Sequence, residues 1–272
     1  QQEGEIVHGT VHSVTSQAVI LHIDGTEATL PRNQQVPGER YNLHQRLRAY
    51  VLEVRKTSRG PQITVSRSHK NMLRRLLELE VPEIFNGTVE IKAITREAGS
   101  RSKVAVAARQ AGVDPVGACV GMRGNRVQAI VRELSNERID IINWTDELSL
   151  LVRRVFAPAE VKRVIPVGEH KIVVVIREED LAQAIGREGQ NIRLASKMLD
   201  KEIDVFGDEE FANMTDEQRN AALSETAASA EKTPSESDET TASKAAPEGY
   251  TTESDEEDVT YDEAFDKLRE EA

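Results

Sequence analysis

Residues 120–131 read VGMRGNRVQAIV. Two glycines stand three positions apart, with Arg123 between them and Arg126 just after. Apolar residues at helical spacing follow directly. The first turn of a helix presents unpaired backbone N–H groups and the positive end of the helix dipole, so it attracts phosphate. A glycine has no Cβ to hold a nucleic-acid backbone away. The stretch therefore reads as a phosphate clamp, Gly121-Met122-Arg123-Gly124, opening a helix that starts with Asn125 and Arg126. One such motif alone is most often an ordinary turn. Neither a P-loop lysine nor the third glycine of a dinucleotide-binding loop is present.

The stretch recurs. AIGREGQNIRLASKML (184–199) places Gly186 and Gly189 65 residues after Gly121 and Gly124. SKVAVA (102–107) stands ahead of the first loop and HKIVVVI (170–176) ahead of the second, as strands. Asp114 and Asp180 are each placed to cap a short helix, and Pro115 suits a first helical position. Val127, Ile130, Val131 and Leu134 line one face of the helix after the first loop; Ile192, Ala195 and Leu199 line the other. ERIDII (137–142) and KEIDVF (201–206) close the two copies as strands. The unit is strand, short helix, glycine loop, helix, strand, seen twice. A GXXG loop between two helices is the device of the KH module, which grips about four nucleotides of single strand. The predicted contacts to RNA are Gly121, Met122, Arg123, Gly124, Asn125, Arg126 and Ile130 in the first copy. In the second they are Gly186, Arg187, Glu188, Gly189, Gln190, Asn191, Ile192, Arg193 and Lys197. The glycines and cations hold phosphates, and Ile130 and Ile192 are expected to line a groove for bases.

Outward from the repeat, residues 4–69 carry five short β-rich runs, punctuated by Asp24-Gly25, Pro37-Gly38 and Arg59-Gly60-Pro61. Five such strands suggest an OB-type barrel; a sandwich or an SH3-like barrel would be punctuated similarly. The barrel is poor in rings for stacking bases: Tyr41 and Tyr50, with His8, His12, His22 and His44. In residues 70–83, Leu73, Leu76 and Leu77 share a helical face, and Pro82 ends a packed connector helix. The expected organisation is a barrel (4–69), the connector (70–83), KH units at 84–146 and 147–207, and a tail (208–272).

Charge divides the chain. Its net charge is -12, yet residues 208–272 carry 21 acidic and 5 basic side chains, and residues 1–207 carry 26 acidic and 30 basic. A mildly basic body on an acidic tail fits nucleic-acid binding. The tail is rich in Ser, Thr, Glu, Asp and Ala and is expected to be disordered. Tyr261, Phe265 and Leu268 could form one face of a short partner-binding helix. The run Glu253–Asp258 lacks the spacing of a calcium loop.

Other chemistry is poorly represented. Cys119 is the single cysteine, so no intrachain disulfide forms, which fits a reducing cytoplasm. Its small apolar neighbours point to a packed thiol. His8 and His12, four apart on a strand, are roughly 13 Å from each other, too far to share one ion. No metal site or cofactor is expected. Asp140 and Asp204 are expected on solvated strand faces. No apolar run reaches the roughly 18 residues of a membrane span. The start QQEG suggests a piece of a longer protein.

LPRNQQVPGERY (30–41), LELEVPEI (77–84), REAGSRSKVAVA (96–107), DPVGACVGMRGNRVQAI (114–130) and AIGREGQNIRLASKMLDKEIDV (184–205) together resemble the bacterial NusA family of transcription factors, in order over roughly residues 4–206. The resemblance implies an OB barrel followed by two tandem KH domains. It implies binding of nascent single-stranded RNA, contact with RNA polymerase and with other antitermination factors, and effects on pausing, termination and antitermination. A cytoplasmic, non-enzymatic monomer is expected. The family's N-terminal polymerase-binding domain, and the acidic helical repeats that some relatives carry after the second KH domain, are expected to be missing from this chain. The enzymatic alternative, an accessory region of an RNA-processing exonuclease, would put one KH unit before the barrel; a protein adaptor would not need intact glycines and arginines in both loops.

Overall fold

A computed structural model describes residues 3–58 and 60–224. The run Glu253–Asp258 and the trio Tyr261, Phe265 and Leu268 lie outside them. Five strands form a closed barrel: β1 (Ile6–Val14), β2 (Ala18–Ile23), β3 (Thr26–Pro31), β4 (Arg46–Thr57) and β5 (Gly60–Ser66). They neighbour one another as β1-β2-β3-β5-β4. β3 and β5 run parallel; the other pairs are antiparallel. This settles the β-domain as an OB-type barrel. Alternation along each strand sends Val11, Leu21, Ala28, Leu30 and Val65 fully inside.

Helix α1 (Lys70–Glu80) begins where the His69 ring accepts from the Asn71 N–H. Met72, Leu73, Leu76 and Leu77 are fully buried, each contributing about 1.5–3 kcal/mol by leaving water. They pack against Val89, Val104, Cys119 and Ile130 in one apolar cluster. Pro82 then opens the short α2 (Pro82–Phe85). The first sheet follows, with β6 (Val89–Glu97) antiparallel to β7 (Arg101–Ala108), and β7 parallel to β8 (Arg138–Asn143). Between β7 and β8 lie α3 (Pro115–Val120) and α4 (Asn125–Glu133), joined by the first glycine loop.

The arrangement repeats. Helix α5 (Leu148–Phe156) precedes β9 (Val161–Val167) and β10 (Lys171–Ile176). Then come α6 (Leu181–Ile185), the second glycine loop, α7 (Gln190–Leu199) and β11 (Glu202–Gly207), the last parallel to β10. Each copy is thus helix, two strands, two helices, strand. The sequence pattern had missed the opening strands β6 and β9 and the helix α5.

Three further expectations change. The segment after Gly207 was expected to be disordered, but it continues as α8 (Asp208–Asn213) and α9 (Asp216–Ala222). Phe211 is buried against Val167, Val173 and Val175 on the outer face of the second sheet, an apolar surface that would otherwise face water. Asp114 caps α3 through the Val116 N–H, but Asp180 does not cap α6; it accepts from the Glu160 N–H and pairs with Arg177. Asp140 and Asp204 are half-buried and ion-paired, the first to Arg101 (2.7 Å) and Lys103 (3.0 Å), the second to Lys171 (2.7 Å).

The described residues form one compact unit. The barrel is tied to the first KH unit by Arg67, whose side chain is 2% exposed. It donates to both Glu39 oxygens (2.5 and 2.8 Å), to the Glu133 carbonyl (2.8 Å) and to the Arg48 carbonyl (2.5 Å). Burial pushes the Glu39 carboxyl up, but the Arg67 guanidinium outweighs it and holds it below its ordinary value. The two KH units share a core: Ala105 and Ile142 of the first pack with Val152 and Phe156 of α5. Lys103, 1% exposed, donates to the Val155 carbonyl at 2.9 Å across that boundary. No helix among the described residues is long and apolar enough to cross a membrane.

Candidate nucleic-acid interface

The two glycine loops have the same backbone. Gly121 and Gly186 both lie at φ 74°, ψ 174°, a region only glycine occupies freely. Arg123 (φ 53°, ψ 26°) and Glu188 (φ 52°, ψ 31°) both adopt the left-handed conformation. Gly124 and Gly189 follow with φ 80° and 70°. For side chains as different as Arg and Glu, holding that conformation costs about 1–2 kcal/mol each. The same strain at the same place in both copies marks the loop shape, rather than the side chain, as the retained feature.

Within each loop the two glycines serve different ends. A Cβ on Gly121 would collide with Asn125 and come within 2.7 Å of the Arg126 Cγ; one on Gly186 would lie 2.9 Å from the Asn191 Cβ and 3.1 Å from its backbone N. The first glycine lets the loop close onto its own helix. In front of Gly189 nothing lies within 4 Å, and at Gly124 only the Gln128 Cγ at 3.8 Å. The second glycine keeps the outer side open.

The predicted residues divide accordingly. Met122 is 82% exposed; Arg187 and Glu188 are 92% and 84% exposed. Arg123, Asn125 and Lys197 are exposed as well. Arg126 is turned inward, donating to the Ala118 carbonyl (2.6 Å) and to Glu83 (2.8 Å). Asn191, 3% exposed, donates to the Ala184 carbonyl (2.9 Å). These two residues occupy the same position in the repeat and do the same work, fastening the long helix to the end of the short one. The Asn191 Oδ1 is buried without a hydrogen-bond partner.

Arg193 and Gln190 are spoken for by the first KH unit. Arg193 pairs with Glu97 at 2.6 Å, and Gln190 donates to Glu97 (2.7 Å) and Ser100 (2.8 Å). The Arg193 guanidinium, helped by Gln190, holds the Glu97 carboxyl below its ordinary value. Ile130 is not a groove residue. It is 1% exposed in the core of the first unit, one helical turn beyond Val127, the true counterpart of half-buried Ile192.

Two clefts accompany the loops. One of about 490 Å³ lies beside the first, lined by Asp114, Gly117, Gly121, Met122 and Arg126. The other, of about 690 Å³, is shared between the units: Gly186, Arg187, Gln190 and Asn191 face Arg101 and Arg138 of the first sheet. Arg101 and Arg138 escaped the sequence reading. They open β7 and β8, and only the parallel pairing of those strands brings them side by side. Neither tyrosine of the barrel is placed for stacking. The Tyr50 ring is 8% exposed, stacked on His69 and hydrogen-bonded to Asn71; Tyr41 donates to Glu39. Cys119 is fully buried, and burial pushes its thiol up to about 12, which leaves it unreactive.

Comparison with known proteins agrees with this architecture. Residues 1–66 match the S1 RNA binding domain, 67–144 the NusA-like first KH domain and 148–213 the NusA-like second KH domain. Over 205 residues the chain is 45% identical to the transcription termination/antitermination protein NusA of Bacillus subtilis, covering 75% of this chain and 55% of that protein. It is 42% identical over 228 residues to that of Halalkalibacterium halodurans (84% and 60%) and 41% over 226 to that of Thermus thermophilus (82% and 58%). The chain thus spans a little over half the length of these relatives.

Proposed function

We propose, for a chain that belongs to the NusA family through its S1 and paired KH domains, that it is the RNA-gripping body of a transcription termination/antitermination factor. The observation that carries this reading is the pair of loops with one backbone geometry, each open in front of its second glycine. Each loop offers backbone N–H groups at a helix start to a phosphate, with Arg123 and Arg187 beside it. The shared cleft with Arg101 and Arg138 supports a single strand running from one loop to the other. Two modules imply a footprint of about eight nucleotides or more. Because the units share a core, the second contact is intramolecular once the first is made, and the two reinforce each other.

The chain acts by binding, without a reaction of its own, on nascent RNA in the cytoplasm. Its effect on pausing and termination depends on RNA polymerase and other antitermination factors being held elsewhere on the assembly. The body works as a monomer.

The test is single-stranded RNA binding across a salt series, for the chain and for a variant carrying Met122→Asp, Arg123→Asp and Arg187→Asp. Aspartate tolerates the left-handed position of Arg123, so the fold should survive, as circular dichroism would verify. Loss of the two arginine contacts should lower affinity at least tenfold. It should also flatten the slope of log K against log salt by about 1.4, at about 0.7 per single-strand phosphate. A folded variant with unchanged affinity and slope would refute the clamps.

A further inference from the structure

The barrel's outer face brings together three potential metal ligands from three adjacent strands: His12 on β1, His22 on β2 and Glu27 on β3. Their ligand atoms all lie within 4.8 Å of one another. His22 and Glu27 are direct cross-strand partners. His12 joins them through an irregularity in β1. The pairing runs Val11–Leu21 and then Ser13–Ile20, so His12 is the extra residue of a β-bulge. Bulges re-aim a side chain, and here the His12 ring lies over the His22 ring, centroids 4.2 Å apart. This is why the strand spacing of His8 and His12 gave no ligand set: the neighbour of His12 is across the sheet, and His8 is turned to Arg48.

The dimensions suit a small divalent ion. His22 Nε2 and Glu27 Oε1 are 3.3 Å apart. Two bonds of about 2.0–2.1 Å at a tetrahedral angle leave their ligand atoms about 3.3–3.4 Å from each other, so this pair already spans one edge of a zinc-like tetrahedron. The His12 nitrogen lies no more than 4.8 Å from the other two ligand atoms, and rotation of this exposed imidazole out of its stack on His22 closes the remaining gap. Two imidazoles and one carboxylate also select a metal by chemistry. Nitrogen donors favour zinc and its late first-row neighbours over magnesium or calcium, which prefer all-oxygen shells.

We propose that His12, His22 and Glu27 form a binding site for a late first-row divalent ion, Zn²⁺ or a near neighbour, on the barrel's outer face. Three protein ligands leave the fourth tetrahedral position to water or to an incoming donor atom.

The test uses the full chain, Co²⁺ as a visible probe and Zn²⁺ in calorimetry, beside His12→Ala, His22→Ala and Glu27→Gln. His8→Ala serves as a control outside the cluster. The expected result is one ion per chain, with Co²⁺ bands in the visible region. Zn²⁺ affinity should weaken at least tenfold in each cluster variant and stay unchanged in the control. Coincident thermal melts without metal would show that the variants fold. Absence of binding below millimolar Zn²⁺ overturns the proposal, as does binding that the three substitutions leave intact, which would point to the acidic run Glu253–Asp258. Loss of RNA affinity in His22→Ala under chelator, with no ion bound by the parent chain, also overturns it and makes the ring pair a base-stacking platform.

Discussion

The two KH units solve one geometrical problem with different side chains. At the left-handed position of the loop one has Arg123 and the other Glu188. At the position that fastens the long helix to the short one, the first unit uses an arginine shared with Glu83 and the second a buried asparagine. Asp114 caps its own helix, whereas Asp180 reaches to the Glu160 N–H just ahead of β9. What persists is the backbone path and the two glycines. The difference teaches that the loop's shape is held by local packing that differs between copies, and that the charge offered beside it is a separate variable. The first loop presents an uncompensated arginine; the second presents Arg187 next to Glu188.

The comparison breaks most sharply at the first glycines. Alanine at either would sit in a glycine-only conformation, at about 1–3 kcal/mol. Gly186→Ala should fall at the upper end, because its Cβ meets the Asn191 backbone, and Gly121→Ala at the lower end, because it meets movable side chains. Urea denaturation of the two variants would rank them; equal losses would mean that the surroundings of the two loops are interchangeable. A smaller effect separates the fasteners. Asn191→Ala leaves a buried carbonyl without its donor, for about 1–3 kcal/mol. Arg126→Ala should cost less, about 1 kcal/mol, because water reaches its partly exposed site. The smallest effect concerns charge alone: Glu188→Arg should steepen the salt dependence of RNA binding by about 0.7, with the melting temperature little changed.

Acid offers a second way to compare parts of the molecule, now between two joints. Glu39 at the barrel joint and Glu97 at the joint between KH units are both held below their ordinary values by arginines. A carboxylate depressed in the folded state contributes stability that is fully present above its unfolded value, about 4.3. That contribution is lost as pH falls through the lower folded value. The buried Glu39 contact should dominate, since Arg193 is about half exposed and its pair is screened by water. Denaturation midpoints from pH 6 down to 3 should therefore fall less steeply in Glu39→Gln than in the parent chain, with Glu97→Gln close to the parent.

Much of this was legible in the sequence because it is local. The glycine loops, the amphipathic helices after them and the closing strands are written in contiguous residues. The barrel's strands could be counted, but closure depends on β3 meeting β5, a non-local pairing that punctuation does not encode. Ile130 was misread because one helical turn separates a groove position from a core position. Helix α5 went unseen although Leu151, Val152, Val155 and Phe156 share one buried face, because no capping side chain marks its start. The helices after Gly207 were hidden by composition: one buried phenylalanine docks a segment that otherwise reads as tail. Arg101, Arg138 and the His12–His22 pair are products of strand register, which brings residues far apart in the chain to one spot.

The buried Arg67 has a mechanical consequence. Its guanidinium bolts the barrel to the end of α4, the same helix that carries the first glycine loop at its other end. Were a strand held in that loop as proposed, its tension would be delivered along a stiff rod into the barrel rather than absorbed at a hinge. A pull on such a strand would become a torque on the body, and whatever the barrel rests against would feel it.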